Sequence, residues 1–279
     1  MRFGISTHLY HDQRLGLGHL EAIAGHGFEA IEVFATRSHF DYHDPAAIDS
    51  LKQWLDRTGL TLHSIHAPIS SRLDGATWGT AFSNASADKT ARERAVAETL
   101  AALDIARKIP TAALVVHLGR PRDQAAHGEN DRASASRSLE QICAASWELR
   151  LPTAVEVIDN ALSEPAALVE LLEGDLELPG AGACLDFGHA HLMGDLVDTI
   201  ENLSGHIITT HIHDNRGTCD DHLAPFEGSI DWTSALVSMR KVGYEGTWLF
   251  ELANTGDPNR VLELAVAARR EFERILGEP

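Results

Sequence analysis

Eight short apolar runs alternate with longer helical patterns along this chain of 279 residues, and that alternation limits most of what it can fold into. Read as strands, the runs fall near residues 2–7, 30–35, 61–66, 112–117, 153–158, 182–187, 207–213 and 246–251. Helical patterns follow them near 15–26, 45–57, 87–108, 133–148, 165–173, 195–203, 231–241 and 257–276. The clearest helical period lies in 91–107, where Ala95, Val96, Thr99, Leu100, Leu103, Ile105 and Ala106 share one side. Asp44-Pro45 and Ser163-Glu164-Pro165 read as helix starts, and Gly27, Gly59 and Gly243 as helix stops. Strands linked through helices pair in parallel with right-handed crossovers. Eight such units predict an α/β fold closed into one (β/α)8 barrel, with 1–279 as a single domain, rather than an open sheet.

Closing the sheet brings every strand end to one mouth, and in this chain those ends carry metal-ligand chemistry. His66, His117, Glu156, Asp186, His189, His211, Asp220, His222 and Glu251 each close a run or lie in the loop after it. Imidazoles and carboxylates are the ligands of zinc, manganese and related cations. Glu156 in Thr153-Ala154-Val155-Glu156-Val157 and Glu251 in Trp248-Leu249-Phe250-Glu251 are charged residues in apolar strands that hold no Lys or Arg to pair them. Such a carboxylate requires a cation, a donor or a proton. In Leu185-Asp186-Phe187-Gly188-His189 the chain turns at Gly188 and brings His189 beside Asp186; the alternative role for Asp186 is a helix or turn cap. His211 and His213 share a strand face, so one is expected to ligate while the other, His213, contacts substrate or orients a carboxylate. Asp220 and His222 either return to the mouth as ligands or form a solvated acidic turn. Of the loop arginines Arg72, Arg120, Arg122 and Arg216, the one beside His211–Asp214, Arg216, is the expected substrate contact. His8, Glu32 and His63 are given no ligand role, and His191 no clear one.

The formal net charge of −18 disfavours nucleic acid as a partner, because backbone phosphates are bound by Lys and Arg. No apolar run approaches the length of a membrane span, and Cys143, Cys184 and Cys219 form no paired spacing. A cytoplasmic setting is the expectation. Residues 67–86, directly after His66, lack periodicity and are expected to form a loop that covers substrate.

The motifs His66-Ala67-Pro68, Val116-His117-Leu118-Gly119, Val155-Glu156-Val157, Leu185-Asp186-Phe187-Gly188-His189, His211-Ile212-His213-Asp214, Asp220-Asp221-His222 with Glu227-Gly228, and Phe250-Glu251 cover nearly the whole chain. Together they resemble the xylose isomerase-like TIM-barrel superfamily, which includes sugar and sugar phosphate isomerases and epimerases and the endonuclease IV-type AP endonucleases. The resemblance to ketose epimerases implies one divalent cation, manganese first and zinc, cobalt or magnesium otherwise, held by Glu156, Asp186, His211 and Glu251. Glu156 and Glu251 would then move protons next to a substrate carbonyl through an enediolate. The resemblance to AP endonucleases implies three zinc ions, and all nine ligand positions have a compatible residue. However, Ile69 through Asn84 does not resemble a DNA-contacting loop, and the acidic charge adds to that. The expectation is therefore a metal-dependent isomerase or epimerase whose partner is a small sugar or sugar phosphate. A trinuclear phosphodiesterase is the alternative, and a non-catalytic sugar- or metal-binding barrel the third reading. Oligomeric state is not readable.

Overall fold

A computed structural model of the chain describes residues 1–74, 77–174 and 176–277. Strand β1 (Arg2–Ser6) is followed by β2 (Ala30–Phe34) and β3 (Thr61–His66), then by a short hairpin of β4 (Leu73–Asp74) and β5 (Thr77–Trp78). The remaining strands are β6 (Ala113–Val116), β7 (Thr153–Glu156), β8 (Ala181–Asp186), β9 (Ile207–His211) and β10 (Thr247–Phe250). Eight of them form one sheet in the order β10-β1-β2-β3-β6-β7-β8-β9, every pairing parallel. The two edges meet where Ile212 N–H donates to the Leu249 carbonyl at 2.8 Å and Glu251 N–H to the Ile212 carbonyl at 3.1 Å. The sheet is thus a (β/α)8 barrel, as the alternation predicts.

The helices are α1 (Leu17–Gly25), α2 (Pro45–Thr58), α3 (Lys89–Lys108), α4 (Arg132–Glu148), α5 (Pro165–Glu173), α6 (Phe187–Met193), α7 (Leu196–Asn202), α8 (Trp232–Lys241) and α9 (Pro258–Leu276). Their apolar faces pack on the outside of the barrel. On α3 the buried side is Ala95, Val96, Thr99, Ala102, Leu103 and Ile105, close to the side expected from its period. Asp44 caps α2 by accepting from Ala46 N–H, with Pro45 in the first turn, and Gly59 ends it at φ 73°. The second expected start differs: Glu164 makes no capping bond, and Ser163 instead bonds to Ile158 and Asn160.

The strands are shorter than their apolar runs at several ends, β7 stopping at Glu156 and β9 at His211. Two elements follow no sequence period. A single 3₁₀ turn, Thr7–Tyr10, extends β1 over the rim, and α6 begins at Phe187 with no loop after β8. Two residues upstream of His117, Glu156 and Asp186, the side chains of Val115, Ala154 and Cys184 pack together as an apolar floor. None of the helices of the described residues is long and apolar enough to cross a membrane.

Candidate metal centre and pocket

Glu156, Asp186, His211 and Glu251, from four different strand ends, place ligand atoms within 4.8 Å of one another. All four are buried. The arrangement is organised around His211. Its Nε2 lies 3.1 Å from Glu32 Oε2, whose carboxylate also accepts from Ser6 Oγ at 2.9 Å and Ser64 Oγ at 2.8 Å. A carboxylate only accepts, so Nε2 carries the proton and Nδ1 turns its lone pair upward. That Nδ1 sits 3.3 Å from Glu156, 3.3 Å from Glu251 and 3.8 Å from Asp186, and it makes no hydrogen bond.

Three buried carboxylates converging on an imidazole lone pair repel one another unless a positive charge lies among them. Ligands about 2.1 Å from one cation stand roughly 3–3.5 Å apart, so these separations suit a divalent ion. The donor set, one imidazole and three carboxylates, suits zinc, manganese or cobalt. On this observation the four residues fit the ion that the sequence led us to expect.

Two further donor groups adjoin the first. His66 and His117 place Nε2 at 3.1 and 3.0 Å from Glu156 Oε2. Because His66 Nδ1 donates to the Ala67 carbonyl, its Nε2 also faces a carboxylate with a lone pair. His189, His213, Asp220 and His222 form the third group. His222 Nδ1 donates to the Glu251 carbonyl, and its Nε2 lies 3.0 Å from Asp220 Oδ2; His189 Nε2 lies 3.2 Å from the same oxygen. The loop 216–228 does return to the mouth. It is anchored by paired backbone bonds between Asp214 and Leu223 and by Ala253 N–H to the His222 carbonyl, which hold His222 at φ 46°.

The charges of the ion-free cluster follow from this packing. Burial alone would lower the His222 pKa, but Asp220, Glu251 and Asp186 raise it to about 10. Burial acts the same way on His211, where Cys184, Glu251, Glu32 and Glu156 prevail and push it well above the usual value. On His189 the opposing push comes from Asp186 and Asp220. Burial would raise Glu156, yet His117 and His211 hold it well below the carboxylate range. Without a cation, protons on these imidazoles supply the positive charge.

All nine strand-end residues come to the mouth, six of them in the two groups that contain Glu156. Asp186 is both site carboxylate and cap, since its Oδ1 accepts from His189 N–H at 2.7 Å at the start of α6. Of the two roles expected of His213, contact with substrate or orientation of a carboxylate, its position matches the second. It is fully buried, its Nε2 is 3.0 Å from Asp186, and Gly188 packs so tightly on it that a Cβ there would fall 2.0 Å from the ring. A side chain so enclosed cannot touch substrate, and His213 orients Asp186 instead. Arg216 is 63% exposed, lies 3.9 Å from Asp221, and does not line the pocket. His191 bonds to Ser229 Oγ at 2.9 Å, away from the mouth.

Above the donor groups lies a cavity of about 390 Å³. Its floor is Glu156, His189, Asp220, His222 and Glu251; its walls include His8, His11, Phe34, Arg120 and Gln124; and Ile69, Trp78, Ala81 and Phe82 form the roof. The stretch after His66 thus covers the mouth through the β4–β5 hairpin, although residues 75 and 76 of it lie outside the described set. Trp78 stacks on His11, with ring centroids 5.6 Å apart and planes 13° apart. His8, His11, Arg120 and Glu32 were the residues that sequence reasoning passed over. Only Glu32 carried a signal, a carboxylate inside an apolar strand.

Glu32 gives a direct prediction. Glu32→Gln frees His211 to turn its other tautomer to the site, so metal affinity should fall about 10- to 100-fold with the fold intact. Titration with a competing chelator measures it; unchanged affinity would show that Glu32 does not orient His211.

Comparison with known proteins now adds to the geometry. The sequence model for the xylose isomerase-like TIM barrel matches residues 20–272. The chain belongs to that family. An uncharacterised protein of Methanocaldococcus jannaschii, MJ1311, is 26% identical over 286 residues, covering 100% of this chain and 91% of its own. Among solved structures, a D-tagatose 3-epimerase-like protein superposes with a TM-score of 0.80 at 24% identity, covering 99% of this chain and 97% of that one. A D-psicose 3-epimerase studied with D-fructose gives 0.78 at 18% identity, covering 99% and 100%. An IolI protein with a bound zinc atom gives 0.78 at 15% identity, covering 99% of each chain. At these identities the structures establish a shared fold.

Proposed function

We propose that this protein is a divalent-metal-dependent sugar isomerase or epimerase that moves a proton on the carbon next to a carbonyl. The observation that carries the reading is the placement of Glu156 and Glu251 on two sides of His211 Nδ1, beneath a roofed cavity the size of a small sugar. The fold shared with a D-tagatose 3-epimerase-like protein supports it. When bound by Glu156, Asp186, His211 and Glu251, a divalent cation supplies Lewis-acid polarisation of neighbouring substrate oxygens. Manganese, zinc and cobalt all suit the donors.

The protein's own residues divide the remaining work. Glu251 lines the cavity and is the freer carboxylate, so it takes the proton from carbon. Glu156, ringed by His66, His117, His189 and His211, is the weaker base; it takes a proton relayed from these imidazoles and delivers it to carbon from the other side, and Glu251 gives its proton up to solvent afterwards. His189, on the cavity floor, donates to the oxygen on which charge develops. The hairpin roof limits water at the developing charge, while Glu251 and Glu156 exchange their protons with solvent between turnovers. Solvent deuterium should therefore enter a ketose such as D-tagatose or D-fructose next to its carbonyl; a metal-loaded protein that exchanges no ketose proton would refute the reading.

One observation favours a second reading, a trinuclear zinc phosphodiesterase. Glu156 is shared between two donor groups, and the third group is complete beside them. Three ions in such an array activate water for phosphodiester hydrolysis. Against it stand the roof over the mouth and the charge of −18. Metal analysis separates the two. About one ion per chain with ketose exchange supports the isomerase, and three zinc ions with no exchange support the hydrolase.

A further inference from the structure

Whether a sugar acted on here carries a phosphate can be read from where the barrel has spent its anion-binding groups. In (β/α)8 barrels a substrate phosphate commonly sits at the loops after the seventh and eighth strands, on backbone N–H groups near a helix start. The seventh barrel strand here is β9, and the corresponding nest is filled from within. Asp214, three residues past β9 and fully buried, accepts from Phe226 N–H at 3.0 Å, Gly228 N–H at 3.1 Å and Trp232 Nε1 at 2.9 Å on Oδ2. Its Oδ1 takes Asn215 N–H at 2.9 Å and Ile230 N–H at 3.2 Å. Gly228 approaches so closely that a Cβ would fall 2.2 Å from that oxygen. An internal carboxylate therefore holds the donors that a phosphate would need.

The cavity wall repeats the pattern. Among the described residues Arg120 is its single Lys or Arg, and Arg120 Nη1 lies 3.0 Å from Glu129 Oε2. A guanidinium already paired offers donors and an adjoining acceptor, which suits a hydroxyl better than a dianion. Across the cavity, His11 Nδ1 donates to the His8 carbonyl at 2.6 Å, leaving Nε2 as an acceptor for a substrate O–H.

We propose that the pocket takes an unphosphorylated polyol, with a free hydroxyl end held between His11 and the Arg120–Glu129 pair, and that it discriminates against phosphate esters. This rests on the sugar reading above and narrows its substrate class. The test compares D-fructose and D-tagatose with their 6-phosphates on the metal-loaded full chain, by calorimetric binding and by deuterium incorporation. The ketoses should bind about tenfold more tightly than the esters, the worth of one or two hydrogen bonds against an uncompensated phosphate. Glu129→Gln, which frees the Arg120 charge, should shift that ratio several-fold toward the esters. His11→Phe should weaken ketose binding about tenfold with metal content unchanged. Esters binding as tightly as the ketoses in the wild type, or a ratio that Glu129→Gln leaves unmoved, would overturn the proposal. Ketose binding without deuterium incorporation would instead refute proton transfer and leave the substrate class standing. Exchange into the esters alone would do the reverse.

Discussion

Glu156→Gln should cost the protein its bound metal and at least about a thousandfold of its ketose proton exchange together. Glu156 touches every part of the cluster that matters: Oε1 faces His211 Nδ1 at 3.3 Å and Oε2 faces His66 and His117 at 3.1 and 3.0 Å. An amide keeps the shape but removes the charge that balances these imidazoles. On the proposed reading Glu156 is both a metal ligand and a proton carrier, and effects of 10² to 10⁴ are typical of general acid–base residues alone. Metal analysis and deuterium incorporation on one preparation check it. Exchange that persists undiminished would remove Glu156 from the chemistry.

The second large effect is removal of the metal, and its sign depends on pH. In the ion-free protein the imidazoles carry the positive charge. His222, raised to about 10 from an ordinary value near 6.5, adds stability that is fully present below about 6.5. That contribution is lost as pH rises through about 10. His66, raised in the same direction by Glu156 against its burial, adds to the trend. The carboxylates behave oppositely: Asp186, held low against burial by His189 and His213, loses its contribution only as pH falls into the acid range. A chelator-treated sample should therefore melt at progressively lower temperature from pH 6.5 to 9. The loaded protein should not, because a cation displaces these protons and binds more tightly as they become scarce. At a hundredfold excess over Kd the ion adds about 2.7 kcal/mol, roughly 5 °C for a domain of this size. Melting curves across that range measure the gap, which should widen with pH; a gap that narrows would contradict protons and metal competing for one cluster.

The barrel was legible because its signal is repeated. Each βα unit restates the period of its neighbours, so an error of a residue or two at a strand end, as at residues 157–158 or 212–213, changes nothing in the count. The candidate site residues were legible for a related reason: a carboxylate in a buried apolar strand, such as Glu156 or Glu251, requires a cation, a donor or a proton. Glu32 shows the limit of that rule. It carries the same signal one layer lower, beneath His211, where an extra residue in β3 places Ser64 opposite it. Periodicity does not report register. Loop paths are less legible still. Arg216 neighbours the site residues in sequence but points to solvent, whereas Arg120 reaches the cavity because Asn130 ties down its loop, accepting from Arg120 N–H at 2.8 Å. His8 and His11 were hidden in and just after a 3₁₀ turn too short to show a period.

The central claim is that a divalent cation is held among Glu156, Asp186, His211 and Glu251. The most direct measurement is anomalous diffraction from crystals of the protein loaded with manganese. A peak is expected about 2.1–2.2 Å from His211 Nδ1, between the three carboxylates. A map with manganese bound elsewhere on the protein and no peak at that nitrogen would contradict it.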